Sequence, residues 1–267
     1  MELSGRHTVV TGAGSGIGRA CAIAFAAQGA RVTCADLDAA AGQRVAGEIG
    51  DAAVAIAVDV SRADSIAALV TRARETHGPI DLFFSNAGVA GPIGGPEADD
   101  AELQRTWEIN VMAHVWAARA VLPEMRERGE GYLLSTASAA GLLTQVSALG
   151  YSMTKHAAVA VAEWLSITYA DDGITVSCLC PQAVRTPMLD LALEDPVGAA
   201  PLLAGGLLEP EEVAAVVVQG IRDERFLILP HEVVATHLAL KGSQPERWLS
   251  GMRRLVRQAR AGGGSSA

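Results

Sequence analysis

The chain has no basic cluster. Its 21 Lys and Arg are outnumbered by 30 Asp and Glu, and the formal charge of -9 leaves no positive track for neutralising phosphates, which argues against a nucleic-acid partner. Long apolar runs are missing as well. Hydrophobic residues make up 50% of the chain, yet no uninterrupted stretch reaches membrane length, so neither a membrane span nor a membrane partner is expected. The opening Met1-Glu-Leu-Ser-Gly-Arg has no signal-peptide character, and a cytoplasmic protein is expected. Cysteine is scarce. Cys21, Cys34, Cys178 and Cys180 are scattered over apolar segments without metal-ligand spacing, which predicts buried free thiols rather than disulfides or a metal centre. No internal repeat is present, and only residues 261–267, rich in Gly and Ser, read as a flexible tail.

What the chain does have is alternation. Short apolar, β-branched runs at 7–11, 31–36, 53–58, 81–85, 131–136, 173–179 and 226–229 are separated by longer amphipathic segments. This pattern predicts an α/β fold, a doubly wound parallel sheet of Rossmann type with helices on both faces and ligand at the carboxyl ends of the strands. The chain length of 267 residues is compatible with one such domain over residues 1–260.

The first strand leads into Gly12-Ala-Gly-Ser-Gly-Ile-Gly18 and then a helical run ending at Gly29, which is a strand, a glycine turn and a helix. Glycines there allow a tight turn and let a phosphate approach the helix N-terminus, where free N–H groups and the dipole favour negative charge. Some twenty residues beyond the turn, Asp36 closes the second strand and offers an acceptor to a ribose 2′-hydroxyl. A 2′-phosphate would be repelled, so Asp36 argues for NAD. Ser15 and Leu37 are uncharged, and Arg19, the one nearby cation, keeps NADP as the alternative. Further on, Tyr151 and Lys155 stand four apart, so on a helix a phenol and an ammonium leave the same face. A cation held near a phenol favours the phenolate and lowers its pKa, which makes the pair a candidate general acid/base.

Together these features resemble the short-chain dehydrogenase/reductase family over about residues 3–230. Gly12, Gly16 and Gly18 carry the glycine spacing of the family's cofactor turn, in which Ser15 and Ile17 also stand. Asp59-Val60 resembles its adenine-contacting acidic pair, and Asn86-Ala87-Gly88 its segment beside the adenine ribose. Asn110, Ser138, Tyr151 and Lys155 follow the order and spacing of its catalytic tetrad; Ser135 and Thr136 are rivals of Ser138, which the thirteen-residue interval to Tyr151 selects. The resemblance implies strand order 3-2-1-4-5-6-7. It also implies reversible hydride transfer with NAD, in which Tyr151 moves the proton, Ser138 holds the substrate oxygen, Lys155 tunes the phenol and bonds the nicotinamide ribose, and Asn110 orders a water.

Pro181, Val184 and Thr186 resemble the family's element over the nicotinamide, but Gln182 stands where a Gly is usual. The stretch at about 187–208, including Met188, reads as a mobile lid. With Leu142, Leu143, Val146 and Leu149 near Tyr151 it suggests a mainly apolar secondary alcohol or ketone as the small-molecule substrate. The final segment, 231–260, departs from the common family ending and reads as an amphipathic helical extension that must bury Val233, Val234, Leu238, Trp248, Leu249, Met252 and Leu255 somewhere. A homodimer through helices at 100–127 and 150–171, or a homotetramer, is expected. A dehydratase or epimerase on the same scaffold, and a cofactor-sensing regulatory protein, are the alternative functions; the complete tetrad ranks the NAD-dependent dehydrogenase first.

Overall fold

The computed structural model describes residues 1–203 and 205–263. Seven parallel strands form one sheet: β1 (His7–Thr11), β2 (Arg31–Asp36), β3 (Ala53–Ala57), β4 (Leu82–Ser85), β5 (Gly131–Thr136), β6 (Ile174–Leu179) and β7 (Leu227–Ile228), in the order β3-β2-β1-β4-β5-β6-β7. This is the expected order. The first and fourth strands are neighbours, with Val9 beside Phe83 and Val10 beside Phe84, so the chain reverses direction across the sheet between them and opens a crevice at their carboxyl ends. β1, β4 and β5 are buried along their whole length, as strands covered on both faces must be.

Alternation along the strands divides the core in two. Val9, Ile56, Phe83, Leu133 and Val176 face one layer, while Val10, Cys34, Leu82, Phe84, Leu134 and Leu179 face the other. Helices α3 (Ala63–His77), α5 (Ala113–Arg128) and α7 (Leu149–Tyr169) cover the first layer; α1 (Gly16–Ala27), α2 (Ala39–Ile49) and α10 (Pro210–Arg222) cover the second. All four cysteines are buried thiols.

Three segments differ from the sequence expectation. The helix expected over 100–127 starts as α4 (Asp100–Trp107), passes through a π-helical turn at Glu108–Met112 and continues as α5. The stretch read as a lid contains two short helices, α8 (Pro187–Leu193) and α9 (Pro196–Leu203), after the short α6 (Ala140–Leu143) upstream. Its ends are zipped together, since Val184 and Leu208 form a β-bridge and the Arg185 N–H donates to the Leu208 carbonyl at 2.9 Å. The C-terminal extension is two helices, α11 (Val233–Ser243) and α12 (Pro245–Gly263), because Pro245 has no N–H to continue the first. α11 lies against α6 and α12 against α9, so the extension covers its own domain. The helix runs into the stretch read as a tail, of which residues 264–267 lie outside the described residues.

His7 is an unusual strand residue. Its Nδ1 lies 3.0 Å from the Gly78 carbonyl and its Nε2 2.9 Å from the Thr33 hydroxyl, and burial pushes its pKa down to about 4. An unfolded His titrates near about 6.5, so between these values the unfolded chain binds a proton that the folded one refuses. Stability is therefore complete above the unfolded value and is lost as the pH falls through this window, by on the order of 3 kcal/mol for this residue at its lower end. Urea unfolding at steps from pH 7 to pH 5 should show a steep loss that His7→Gln reduces by about one proton's worth of slope. A variant with the wild-type slope would remove His7 as the cause.

Candidate active site

The crevice is lined by groups that hold one another in place. Thr11, at the end of β1, accepts from the backbone N–H of Asn86 at 2.9 Å and of Ala87 at 3.1 Å through its Oγ1. The Asn86 amide donates to the Thr11 carbonyl at 3.0 Å and accepts from the Thr136 hydroxyl at 3.0 Å. Asn86 thus braces the ends of β1 and β5 from the loop after β4. A Cβ on Gly18 would lie 2.1 Å from the Gly12 carbonyl oxygen, so the glycine turn folds directly onto the start of α1. The first turn of α1 carries no acidic residue, and its Ser15 N-cap side chain makes no capping bond, which leaves an N-terminus suited to an anion.

Asp36 sits at the mouth of this turn. Its carboxylate accepts from the Gly14 N–H at 2.7 Å and the Asp38 N–H at 2.9 Å, which fixes its orientation and leaves further lone pairs for a ligand hydroxyl. Leu37 beside it is 66% exposed. Arg19 is ion-paired with Glu48 at 2.6 Å and Glu211 at 3.8 Å. The alternative that Arg19 serves a 2′-phosphate therefore has a competing pair of carboxylates to displace. Asp59 holds a local turn, its Oδ1 accepting from the Ser61 hydroxyl at 2.7 Å and N–H at 3.0 Å, and these bonds lower its pKa, with Val60 buried behind it.

The four tetrad positions come together at the carboxyl ends of β4, β5 and β6. α7 presents Tyr151 and Lys155 one turn apart, with the Lys155 Nζ 5.6 Å from the Tyr151 ring centroid and bonded to the Thr136 carbonyl at 3.1 Å. The Ser138 hydroxyl accepts from the Ala140 N–H at 3.1 Å and faces the Tyr151 phenol. Asn110 lies inside the π-helical turn, a conformation that recurs at functional sites. Its amide clasps Val89, accepting from the N–H at 2.9 Å and donating to the carbonyl at 2.9 Å, and also donates to the Thr154 hydroxyl at 3.2 Å. A Cβ on Gly88 would lie 3.1 Å from the Asn110 Oδ1 and 3.4 Å from the Lys155 Nζ, so Gly88 is the gap between them.

The electrostatics depart from the expectation that Lys155 depresses the phenol. Desolvation pushes Tyr151 above its ordinary value, with the Ser138 hydroxyl pulling the other way. Burial also brings Lys155 down to about 8, against which the nearby Cys178 and Cys180 raise it. In the protein alone the pair is a neutral phenol beside a weakened ammonium.

Of the residues expected on the substrate side, Leu142 and Leu143 belong to the core, Val146 and Met188 are half-buried and Leu149 is exposed. The Gln182 amide donates to the Pro201 carbonyl at 2.7 Å, and Gln145 donates to the Gly198 carbonyl at 2.9 Å, so two side chains moor α9. Gln182 thus holds α9 to the loop after β6. Lys241 of α11 donates to the Leu142 carbonyl at 2.6 Å. Thr144 and Ser147 both have left-handed φ, of 76° and 65°, which places backbone strain beside Tyr151. Pro181 and Val184 are buried at the end of β6, and Thr186 approaches the glycine turn: a Cβ on Gly16 would lie 2.9 Å from its methyl group. Sequence reasoning missed Thr154 and His231. The His231 ring accepts from the Gln182 N–H at 3.2 Å and lies 3.1 Å from the Ala183 carbonyl.

Residues 6–196 match the family model described as short chain dehydrogenase. The 1-deoxy-11-beta-hydroxypentalenate dehydrogenase of Streptomyces exfoliatus is 37% identical over 236 residues, covering 85% of this chain and 84% of that protein. Estradiol 17-beta-dehydrogenase 11 of Mus musculus is 29% identical over 254 residues, covering 93% of this chain and 83% of that one. A solved short chain dehydrogenase/reductase from Burkholderia phymatum, in complex with NAD, has a TM-score of 0.85 at 30% identity and covers 92% of this chain and 96% of its own.

Two glycines test the close packing of the turn. Gly18→Ala forces a methyl group into the Gly12 carbonyl, whereas Gly47→Ala in α2 meets nothing within 4 Å. Urea titration should show the first losing about 1–3 kcal/mol or more and the second unchanged or gaining up to ~1 kcal/mol. Equal stabilities would mean that the turn relaxes freely around position 18.

Proposed function

The chain belongs to the short-chain dehydrogenase/reductase family, and on that basis we propose that it transfers hydride reversibly between NAD(H) and a mainly apolar secondary alcohol or ketone. The observation that carries this reading is the meeting of Tyr151, Ser138 and Lys155 at the carboxyl ends of β5 and β6, beside a glycine turn whose mouth is held by Asp36. The cradle fits the cofactor. Gly18 leaves room that a Cβ would fill, and Asp36 offers an acceptor rather than a cation. Gly12, Ser15, Gly16, Ile17 and Gly18 would hold the pyrophosphate, Asp36 and Leu37 the adenosine ribose, and Asp59 and Val60 the adenine. Asn86, Ala87 and Gly88 would line the centre, Tyr151 and Lys155 the nicotinamide ribose, and Pro181, Val184 and Thr186 the nicotinamide. Bound NAD supplies the hydride acceptor and, when oxidised, a positive charge that favours a phenolate.

The chain's own groups handle the proton. In oxidation the Tyr151 phenolate takes the proton of the alcohol hydroxyl; in reduction the neutral phenol gives it to the developing alkoxide. Ser138 donates to the substrate oxygen and holds it in line with the phenol. Lys155 stabilises the phenolate, and Asn110 fixes the loop after β4 against α7 so that these atoms keep their places. Relatives named for a hydroxypentalenate and for estradiol support an alcohol as substrate. The half-buried Val146 and Met188 support an apolar one, with Gln182 setting the seat of the lid. Among the described residues no helix is long and apolar enough to cross a membrane.

A panel of apolar secondary alcohols, read by NADH absorbance, tests the assignment. Turnover should appear with NAD in preference to NADP, and Tyr151→Phe should cut it at least about a hundredfold while leaving NAD affinity nearly intact. No turnover across the panel and the matching ketones, or near-normal turnover by the Phe variant, would overturn it.

A homodimer is part of the same proposal. A cleft between α5 and α7 is lined by Val115, Ala118, Val161 and Trp164, and Trp164 is 59% and Ile167 82% exposed. An apolar patch on this scale suits a self-complementary contact between two copies of α5 and α7. Light scattering should give at least a dimer, and Ile167→Asp together with Trp164→Ala should shift it toward monomer; an unshifted mass would place the contact elsewhere.

A further inference from the structure

The ladder between β6 and β7 is short. The Cys178 N–H donates to the Phe226 carbonyl at 2.6 Å and the Cys180 N–H to the Ile228 carbonyl at 2.9 Å, so the two-residue period puts the next donor at Gln182, opposite position 230. By then β7 has ended, at Ile228. The place of the missing rung is taken by a side chain from the head of the C-terminal extension: Nδ1 of His231 lies 3.2 Å from the Gln182 N–H. A backbone N–H can only donate, so Nδ1 accepts, and the neutral ring carries its hydrogen on Nε2, which donates to the Ala183 carbonyl at 3.1 Å. The ring is 4% exposed, and burial lowers its pKa, which keeps it neutral. His231 also lies beyond residues 6–196, which match the family model.

The other end of the same peptide faces the catalytic serine. The Pro181 carbonyl accepts from the Ala139 N–H at 2.8 Å and lies 3.5 Å from the Ser138 hydroxyl. It continues the β5–β6 ladder, whose preceding rung joins the Ala137 N–H to the Leu179 carbonyl at 2.8 Å. β5 and β6 end at Thr136 and Leu179, so beyond them the backbone at Ser138 is tied to β6 through this rung. One line of bonds therefore runs from the imidazole, through the Pro181–Gln182 peptide, to the peptide that joins Ser138 to Ala139. Each bond in such a line strengthens its neighbours. The Ala183 carbonyl has a second donor in the Leu208 N–H at 3.2 Å, whereas the Gln182 N–H has no partner but the imidazole among the described residues.

We propose that His231 is a positioning residue for Ser138: by standing in for the missing rung of β7 it fixes the Pro181–Gln182 peptide, whose carbonyl holds the Ser138 backbone and takes the Ser138 hydroxyl hydrogen until a substrate oxygen accepts it. The extension after β7 is thereby part of the frame of the active site. This inference rests on the proposed dehydrogenase activity for its kinetic part and on the bonds alone for its structural part.

Three substitutions separate the two bonds of the ring. His231→Phe removes both; His231→Asn keeps an acceptor as many bonds from Cα as Nδ1, toward Gln182; His231→Gln keeps a donor as many bonds out as Nε2, toward Ala183. On an alcohol that the wild type oxidises, the Phe variant should lose roughly tenfold in kcat, the Asn variant should recover most of it, and the Gln variant should stay near Phe. Wild-type kcat in the Phe variant, or rescue by Gln and not by Asn, would overturn the proposal. A double-mutant cycle names the route. In a Ser138→Ala background, read in single turnover so that slow variants can be compared, His231→Phe should cost no more than about twofold, because the group it acts through is gone. The full tenfold loss in that background would send the effect through the lid or the cofactor and overturn the proposal as well. If the Phe variant does not fold, the Asn and Gln variants carry both comparisons. A further readout is independent of turnover: imidazole nitrogen NMR of the whole protein at neutral pH should show His231 with its hydrogen on Nε2, and a hydrogen on Nδ1 would remove the rung even in an active enzyme. The Nε2 tautomer in a protein without turnover would leave the rung established and count against the dehydrogenase reading alone.

Discussion

Lys155 is buried to 2% exposure with no carboxylate partner among the described residues, and its ammonium is held by the Thr136 carbonyl at 3.1 Å. Removing an unpaired charge from water is costly, and the fall of its pKa to about 8 corresponds to on the order of 3 kcal/mol against the folded state at neutral pH. The sign follows from linkage: the penalty is present below the folded value and is relieved as the pH rises from there toward the ordinary Lys value. The surroundings follow from accommodating that charge. β5 ends so as to offer a carbonyl, Gly88 leaves the gap beside it, and the π-helical turn brings Asn110 to its other side.

Much of this was legible in the chain because it is written in local spacing. The glycine turn, Asp36 at the end of a strand, and Tyr151 four residues before Lys155 are short-range patterns, and the sheet order followed once they were recognised together. The π-helical turn was not legible, since Trp107-Glu-Ile-Asn-Val has the composition of an ordinary helix, and the turn's packing against α7 is a long-range contact that local spacing does not carry. The sign of the Tyr151 shift was misjudged for a related reason: spacing shows that a cation is near, but not how much water both groups have lost. His231 reads in sequence as one polar residue at the head of the extension, and its bonds to the loop after β6 are visible only when every neighbour has been placed.

Gln182 shows how a departure from a family pattern is read once contacts are known. A side chain where Gly is usual could have pointed to solvent, to substrate or to the lid. Its Nε2 donates to the Pro201 carbonyl, and Gly205 is the residue that makes room for it, since a Cβ there would lie 2.0 Å from its Oε1. Likewise the C-terminal extension, whose purpose was unreadable from its amphipathic pattern, is tied by Lys241 to the segment just before Tyr151.

The zipped ends of the excursion between Val184 and Leu208 separate two kinds of tolerance in one chain. Because the bridge holds both ends on the frame, residues inserted between them add closure entropy only slowly, roughly 0.6 kcal/mol for each doubling of loop length, and no strain reaches β6. The braces among Thr11, Asn86 and Thr136 have no such slack, for each bonds a neighbour at the end of another strand. Variation in length can therefore accumulate on one wall of the crevice, redrawing the shape presented to a ligand, while the opposite wall stays fixed in register with the sheet.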